Sequence, residues 1–168
     1  LTDTAFVQLL PQLVKGREDK LFIHTAGSIP LDVWKGQANR YGVVYPMQTF
    51  SKQVEVDFSQ IPIFIEANNT EDHDLMKGIA QILSQKVYDA TSEQRKILHL
   101  AAVFTCNFSN HMYALAAELL NKYDLPFDVM LPLIDETARK VHQLAPSLTQ
   151  TGPAARNDEE VMNAHIQM

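Results

Sequence analysis

Between Ser92 and Lys122 the chain runs without a glycine or a proline, and its apolar residues recur at helical spacing. Thr91 or Ser92, followed by Glu93 and Gln94, supplies acceptors for the free amides of a first turn, so the pattern predicts a capped helix. Ile97, Leu98 and the run Leu100-Ala101-Ala102-Val103-Phe104 make it apolar on most of its circumference, which predicts burial on most sides. Its middle is polar: Cys106, Asn107, Ser109, Asn110 and His111. A buried polar group without a partner costs ~1–3 kcal/mol. That belt is therefore either a structural hydrogen-bond network or the wall of a site.

Upstream, short apolar runs alternate with helical periods. Thr2-Asp3-Thr4 can cap a helix from Ala5 to Val14 that holds Pro11. Leu21-Phe22-Ile23-His24 has the texture of a buried strand entering the small-residue turn Thr25-Ala26-Gly27-Ser28. Tyr41 to Tyr45, stopped by Pro46, and Ile61 to Ile65 are two more such runs. Glu71 to Gln85 carries Leu75, Ile79, Ile82 and Leu83 at helical spacing, and Lys86 to Asp89 predicts a fourth strand. This alternation predicts α/β packing on a mostly parallel sheet. After Asp89 no strand is expected. Phe127 to Leu144 is helical with a kink expected at Pro132, Thr149 to Asn157 is a loop, and Asp158-Glu159-Glu160 opens a last helix to Met168. The expected division is an α/β portion over residues 1–89 and an all-α domain over 90–168.

Composition narrows the function classes. The 168 residues carry a net charge of −6, which argues against a nucleic-acid or anionic-membrane surface as partner. Cys106 is the single cysteine, so there is no intrachain disulfide or thiolate metal site, and a reducing, cytoplasmic setting fits. No apolar run reaches the ~18 residues of a membrane helix. Leu1 is not an initiator methionine, and the chain is expected to be a piece of a longer protein.

Four motifs occur in order: His24-Thr25-Ala26-Gly27-Ser28; Tyr45-Pro46-Met47-Gln48-Thr49-Phe50; His99 to Phe104 with Cys106-Asn107 and Asn110-His111; and Thr151-Gly152-Pro153 with Arg156 and Asp158. Together they resemble a bacterial family of Rossmann-like NAD(P)-dependent oxidoreductases. The C-terminal half of that family is a domain of unknown function similar to the C-terminal domain of 6-phosphogluconate dehydrogenase. Pyrroline-5-carboxylate reductase and deazaflavin-dependent NADP reductases are more distantly similar. The resemblance implies a partial Rossmann α/β domain, an all-α domain that dimerises, and a substrate cleft between the two. It implies NADP, or NAD, as cofactor and a small carbonyl, imine or hydroxy compound as substrate. The family's Gly-rich phosphate-binding turn is expected to precede Leu1, since no GxGxxG spacing occurs here.

Candidate residues follow from both readings. His24, Thr25 and Gly27 sit at the C-terminal end of a strand, where open α/β sheets bind ligands. The pattern alone leaves an ordinary turn open, whereas the resemblance implies a cofactor wall. Gln48 can donate and accept after the next strand; alone it fits a solvated turn, and the resemblance adds it to the cofactor side. At about 100° per residue, His99, Val103, Cys106 and Asn110 fall on one line, with Asn107 and His111 beside it. Asn107 and Asn110 can hold a carboxylate or carbonyl, and His99 or His111 can transfer a proton; the competing reading is a satisfied interhelical network. Related hydroxyacid dehydrogenases use a lysine on this helix, but no lysine lies between Lys96 and Lys122. Arg156 can grip an anionic substrate group or pair with Asp158 or Glu159. Cys106 has no nearby cation to activate it, and the spacing of His24, His99 and His111 lends no support to a metal triad. The rival function is a non-catalytic dimerising module with a binding or regulatory role.

Overall fold

The computed structural model describes residues 2–168. Each of the four apolar runs forms a strand: β1 (Leu21–His24), β2 (Arg40–Pro46), β3 (Ile63–Ala67) and β4 (Val87–Asp89). They lie in one sheet in the order β1-β2-β3-β4. The sheet is mixed, not mostly parallel: β1 and β2 are parallel, as are β3 and β4, but β2 and β3 are antiparallel. The connections explain this. Parallel neighbours need a crossover, and one is supplied between β3 and β4 by helix α2 (Thr70–Leu83). Residues 47–62 carry no helical period and form only the short 3₁₀ turn Phe58–Gln60. The chain therefore reverses after Pro46 and pairs with itself, with Tyr45 opposite Phe64 and Pro46 opposite Ile63.

Helix α1 (Asp3–Val14) is capped by the Thr2 hydroxyl, which accepts from the Ala5 amide. Its Leu10 and Val14 pack with Trp34 and Ala38, flanked by Phe6, Phe22, Val33 and Tyr41. A second cluster joins Ile63 and Ile65, alternate residues of β3, to Met76 and Ala80 of α2. Gly42 makes this close approach possible. A Cβ there would lie 2.3 Å from Met76 Cε and 2.9 Å from the Glu66 carbonyl. Asn69 caps α2 through the Asp72 amide. The buried Asp72 carboxylate takes the forked guanidinium of Arg40 and the Asn69 amide, which hold its carboxyl below the usual range.

The long helical stretch forms with its expected cap, a reciprocal Thr91–Gln94 box. It is not one regular helix. Helix α3 (Ser92–Ala102) passes into a π-helical turn, Val103–Phe108, and then into α4 (Ser109–Asn121). Nor is its apolar surface buried: Ile97, Leu100, Phe104 and Phe108 are all exposed, and the one buried side chain of α3 is Arg95.

Two compact units result, Leu1–His111 and Met112–Met168, the boundary falling within α4. The sheet unit thus includes α3, which the change of texture at Asp89 assigns to the helical portion. Beyond α4 the second unit contains α5 (Leu131–Val141), α6 (Pro146–Thr149) and α7 (Glu159–Ile166). Pro132 does not kink a helix; it stands in the first turn of α5, where its missing N–H leaves no hydrogen bond unmade. The expected loop before α7 holds the 3₁₀ turn Ala154–Arg156, ended by Asn157 in the left-handed region. Asp158 caps α7 by accepting from the Val161 amide. The expected fold class, α/β followed by all-α, is the one the chain forms. Among the described residues no helix is long and apolar enough to cross a membrane.

Candidate active site

The π turn lies where the sequence placed its polar belt. Hydroxyls there compete for backbone carbonyls: Thr105 Oγ1 donates to the carbonyls of Ala101 and Ala102, and Ser109 Oγ reaches that of Phe104. Such back-bonding loosens the regular ladder, and π turns recur at functional sites. The wider turn changes the phase of every following side chain. Cys106 and Asn107 join His99 and Val103 on one surface, and Asn110, expected on the same line, leaves it.

That surface walls a cavity of about 360 Å³ within the sheet unit. Facing it are Tyr45 at the end of β2 and residues 47–49 beyond Pro46. Tyr45 Oη stands 3.3 Å from His99 Nδ1, and the two rings meet edge to face. Tyr45 is only 8% exposed. Burial raises its pKa, against a smaller opposing effect of the Arg95 charge, so the phenol is neutral at physiological pH. Gly27 closes the same corner: a Cβ on it would lie 2.7 Å from His99 Nδ1 and 2.9 Å from Tyr45 Cζ. Gln48 Oε1 accepts from the Thr49 amide at 2.8 Å, which orients the carboxamide and leaves its NH₂ free to donate. Asn107 is exposed, with no side-chain hydrogen bond among the described residues.

An ionic hub fixes α3 on the sheet. Arg95, 1% exposed, donates through Nη1 to Glu66 at the end of β3 and through Nη2 to the Ile29 carbonyl at 2.6 Å. Glu66 also accepts from the Ser92 amide at 2.8 Å and hydroxyl at 2.7 Å, and Ser92 Oγ accepts from the Leu31 amide at 2.8 Å. Strand β3, the N-terminus of α3 and the loop after Gly27 are thus joined at one point. His99 stands one turn beyond Arg95 on α3 and inherits that placement. Sequence reasoning missed the hub; its signal was a glutamate ending an apolar strand and an arginine inside an otherwise apolar helix face.

The remaining candidates do not line this cavity. His24 is 5% exposed and sits against Phe6 and Trp34. Its Nδ1 accepts from the Ala26 amide at 3.2 Å, and Nε2 has no partner of hydrogen-bonding geometry among the described residues. Burial, helped by the Arg95 charge and opposed by the Pro30 carbonyl, lowers its pKa to about 4. His24 and Thr25 line a separate depression with Asp3, Phe6 and Ile29. Asn110 and His111 are exposed and do not line the His99 cavity. Arg156 belongs to the second unit, exposed, and makes no ion pair with Asp158 or Glu159. Among the described residues, no three histidine, cysteine or carboxylate side chains gather at metal-binding distance.

Residues 61–168, more than half of the chain, match the model of a domain of unknown function, DUF2520. The structure is similar to that of a "putative NADP oxidoreductase" from Bacteroides fragilis, with 68% sequence identity and a TM-score of 0.96. That match covers 100% of this chain and 65% of the other, so the chain spans less than two thirds of its relative. A protein from Thermotoga maritima, 22% identical, shares the fold with a TM-score of 0.75 over 98% of this chain and 66% of its own. No curated protein matches. The overall fold is thus shared with both structures, and the chain belongs to the DUF2520 family.

Proposed function

We propose that the parent protein is an NADP-dependent oxidoreductase, with NAD as the alternative cofactor, acting on a small carbonyl, imine or hydroxy substrate. The observation that carries this reading is the cavity in which a hydrogen-bonded Tyr45–His99 pair stands beside the free amides of Gln48 and Asn107. The name given to the Bacteroides fragilis relative supports the cofactor class.

The residues present suit one end of a dinucleotide only. A cavity of about 360 Å³ takes a nicotinamide-sized ring or a small substrate, not a whole dinucleotide. None of the six glycines falls in a GxGxxG spacing, so the described residues offer no Gly-rich phosphate cradle. When bound, a nicotinamide supplies or accepts hydride. Gln48 would donate to its carboxamide oxygen, and Gly27 would keep the adjoining backbone bare. Asn107 would donate to the substrate's oxygen or nitrogen, and His99 would exchange the proton. We assign His24 and Thr25 to the support of the cofactor wall, and Arg156, in the second unit, to the binding of an anionic group.

A second reading, a dimerising module without turnover, draws on the exposed row Ile97, Leu100, Phe104 and Phe108. Association through such a row is compatible with either reading, and we propose a homodimer in both. Calorimetry with NADPH and the full-length protein separates them. The enzyme reading expects stoichiometric binding to that protein and weak or no binding to the 168-residue chain. No binding to the full-length protein would favour the module.

A further inference from the structure

We propose that Tyr45 is a positioning residue for His99, fixing the imidazole so that Nε2 is its proton-transferring atom. This rests on the oxidoreductase reading above. Three observations converge on it. Tyr45 Oη is 3.3 Å from His99 Nδ1. The backbone at Gly27 covers the same edge of the ring, close enough that a Cβ would come within 2.7 Å of Nδ1. Tyr45 is buried whereas His99 is exposed. The Nδ1 edge is therefore closed on both sides, and Nε2 is the nitrogen left for a substrate. The two ring nitrogens are chemically distinct, and the partner of one sets the role of the other.

A phenol serves this position because it can follow both charge states of the ring. With neutral imidazole its O–H donates to Nδ1, which keeps the ring proton on Nε2. With imidazolium, Nδ1–H donates to the phenol oxygen and the hydroxyl rotates away. Tyr45 thus stays hydrogen-bonded through a cycle and never loses its own proton; burial, by raising its pKa, favours that neutral state. During reduction of a carbonyl the hydride adds to carbon. The electron pair of the C=O π bond moves to oxygen and takes the Nε2 proton. The Nε2–H bond of the imidazolium breaks, an O–H bond forms, and His99 is left neutral with its remaining proton on Nδ1, which donates to the Tyr45 oxygen until proton exchange with solvent restores the Nε2–H tautomer. Oxidation of the alcohol runs the same transfers backward.

The test is ¹⁵N NMR of the histidine rings in the full-length protein, with His99→Gln used to assign the signal. Wild-type protein with neutral His99 should show the Nε2–H tautomer. Tyr45→Phe, which removes only the hydroxyl, should raise the Nδ1–H population about fivefold, the size expected for one lost hydrogen bond. Should Tyr45→Phe fail to fold, Gly27→Ala gives a second route, because its methyl must push the ring off Tyr45 and produce the same redistribution. An Nδ1–H tautomer in the wild type, or populations unchanged by these variants, would overturn the proposal. Failure of the full-length protein to bind NADPH would be a different result: it would sink the oxidoreductase reading and the catalytic role of Nε2, while the tautomer shift would still report the Tyr45–His99 bond.

Discussion

The bare α-carbon of Gly27 faces His99 so closely that one added methyl would sit 2.7 Å from Nδ1. His99 is exposed and can swing aside; Tyr45, which the same methyl would meet at 2.9 Å, is buried and cannot move freely. Gly27→Ala should therefore cost about 1–3 kcal/mol of stability through overpacking. If the cavity is the active site, turnover should fall by far more than that loss explains. Denaturant unfolding and steady-state kinetics on the same variant check both parts. Unchanged kinetics would remove Gly27 from the site.

The hub at Arg95 should be the most sensitive polar feature of the sheet unit. Arg95→Ala leaves Glu66 without its cation and opens the Ile29 carbonyl; breaking a buried pair from one side costs about 3–5 kcal/mol. Arg95→Met, which keeps much of the volume, should cost less. Urea unfolding of the two variants decides, and a loss under about 1 kcal/mol for Arg95→Ala would mean that the pair behaves as a surface salt bridge.

His24 makes stability depend on pH. Its folded pKa, about 4, lies below the ordinary imidazole value of 6.5, so the unfolded chain binds the extra proton between those values. Stability contributed by the neutral ring is fully present above pH 6.5 and declines as pH falls toward 4. The loss at full protonation is on the order of 2–3 kcal/mol. His24→Gln should flatten the stability–pH curve across that window. Asp72, whose pKa is lowered chiefly by Arg40, adds a further loss at lower pH. An identical slope in wild type and His24→Gln would show that the ring titrates normally.

The two asparagines of the belt should separate. Asn107 lines the cavity and is exposed, so Asn107→Ala should leave the melting temperature nearly unchanged and weaken binding of a substrate analogue. Asn110 does not line it, and Asn110→Ala should have a smaller effect on both. Equal kinetic defects with unchanged stability would restore Asn110 to the site.

The exposed row on α3 and the π turn predicts self-association. Light scattering at micromolar concentration should give twice the monomer mass, and Leu100→Glu with Phe104→Asp should return the monomer. A monomer for the unaltered protein counts against the homodimer.

Much of this was legible in the chain. Leu21 to His24, Tyr41 to Tyr45 and Ile61 to Ile65 are apolar runs bounded by turn residues, and local sterics and burial suffice to make them strands. The Thr91–Gln94 box and the Asp158 cap are contacts within one turn, fixed by residue type and spacing. The position of the polar belt was visible too. Strand direction was not, because it depends on what the 47–62 connection fails to form. The phase of the belt was not visible either, since a π turn arises from competition between hydroxyls and backbone that a 100° projection ignores. Only the tertiary structure could bring Gly27, Tyr45 and His99 into one corner, or Glu66 and Arg95 into one pair. These partners are far apart in sequence, and their meeting is decided by sheet register and by where α3 lands, which no local pattern encodes.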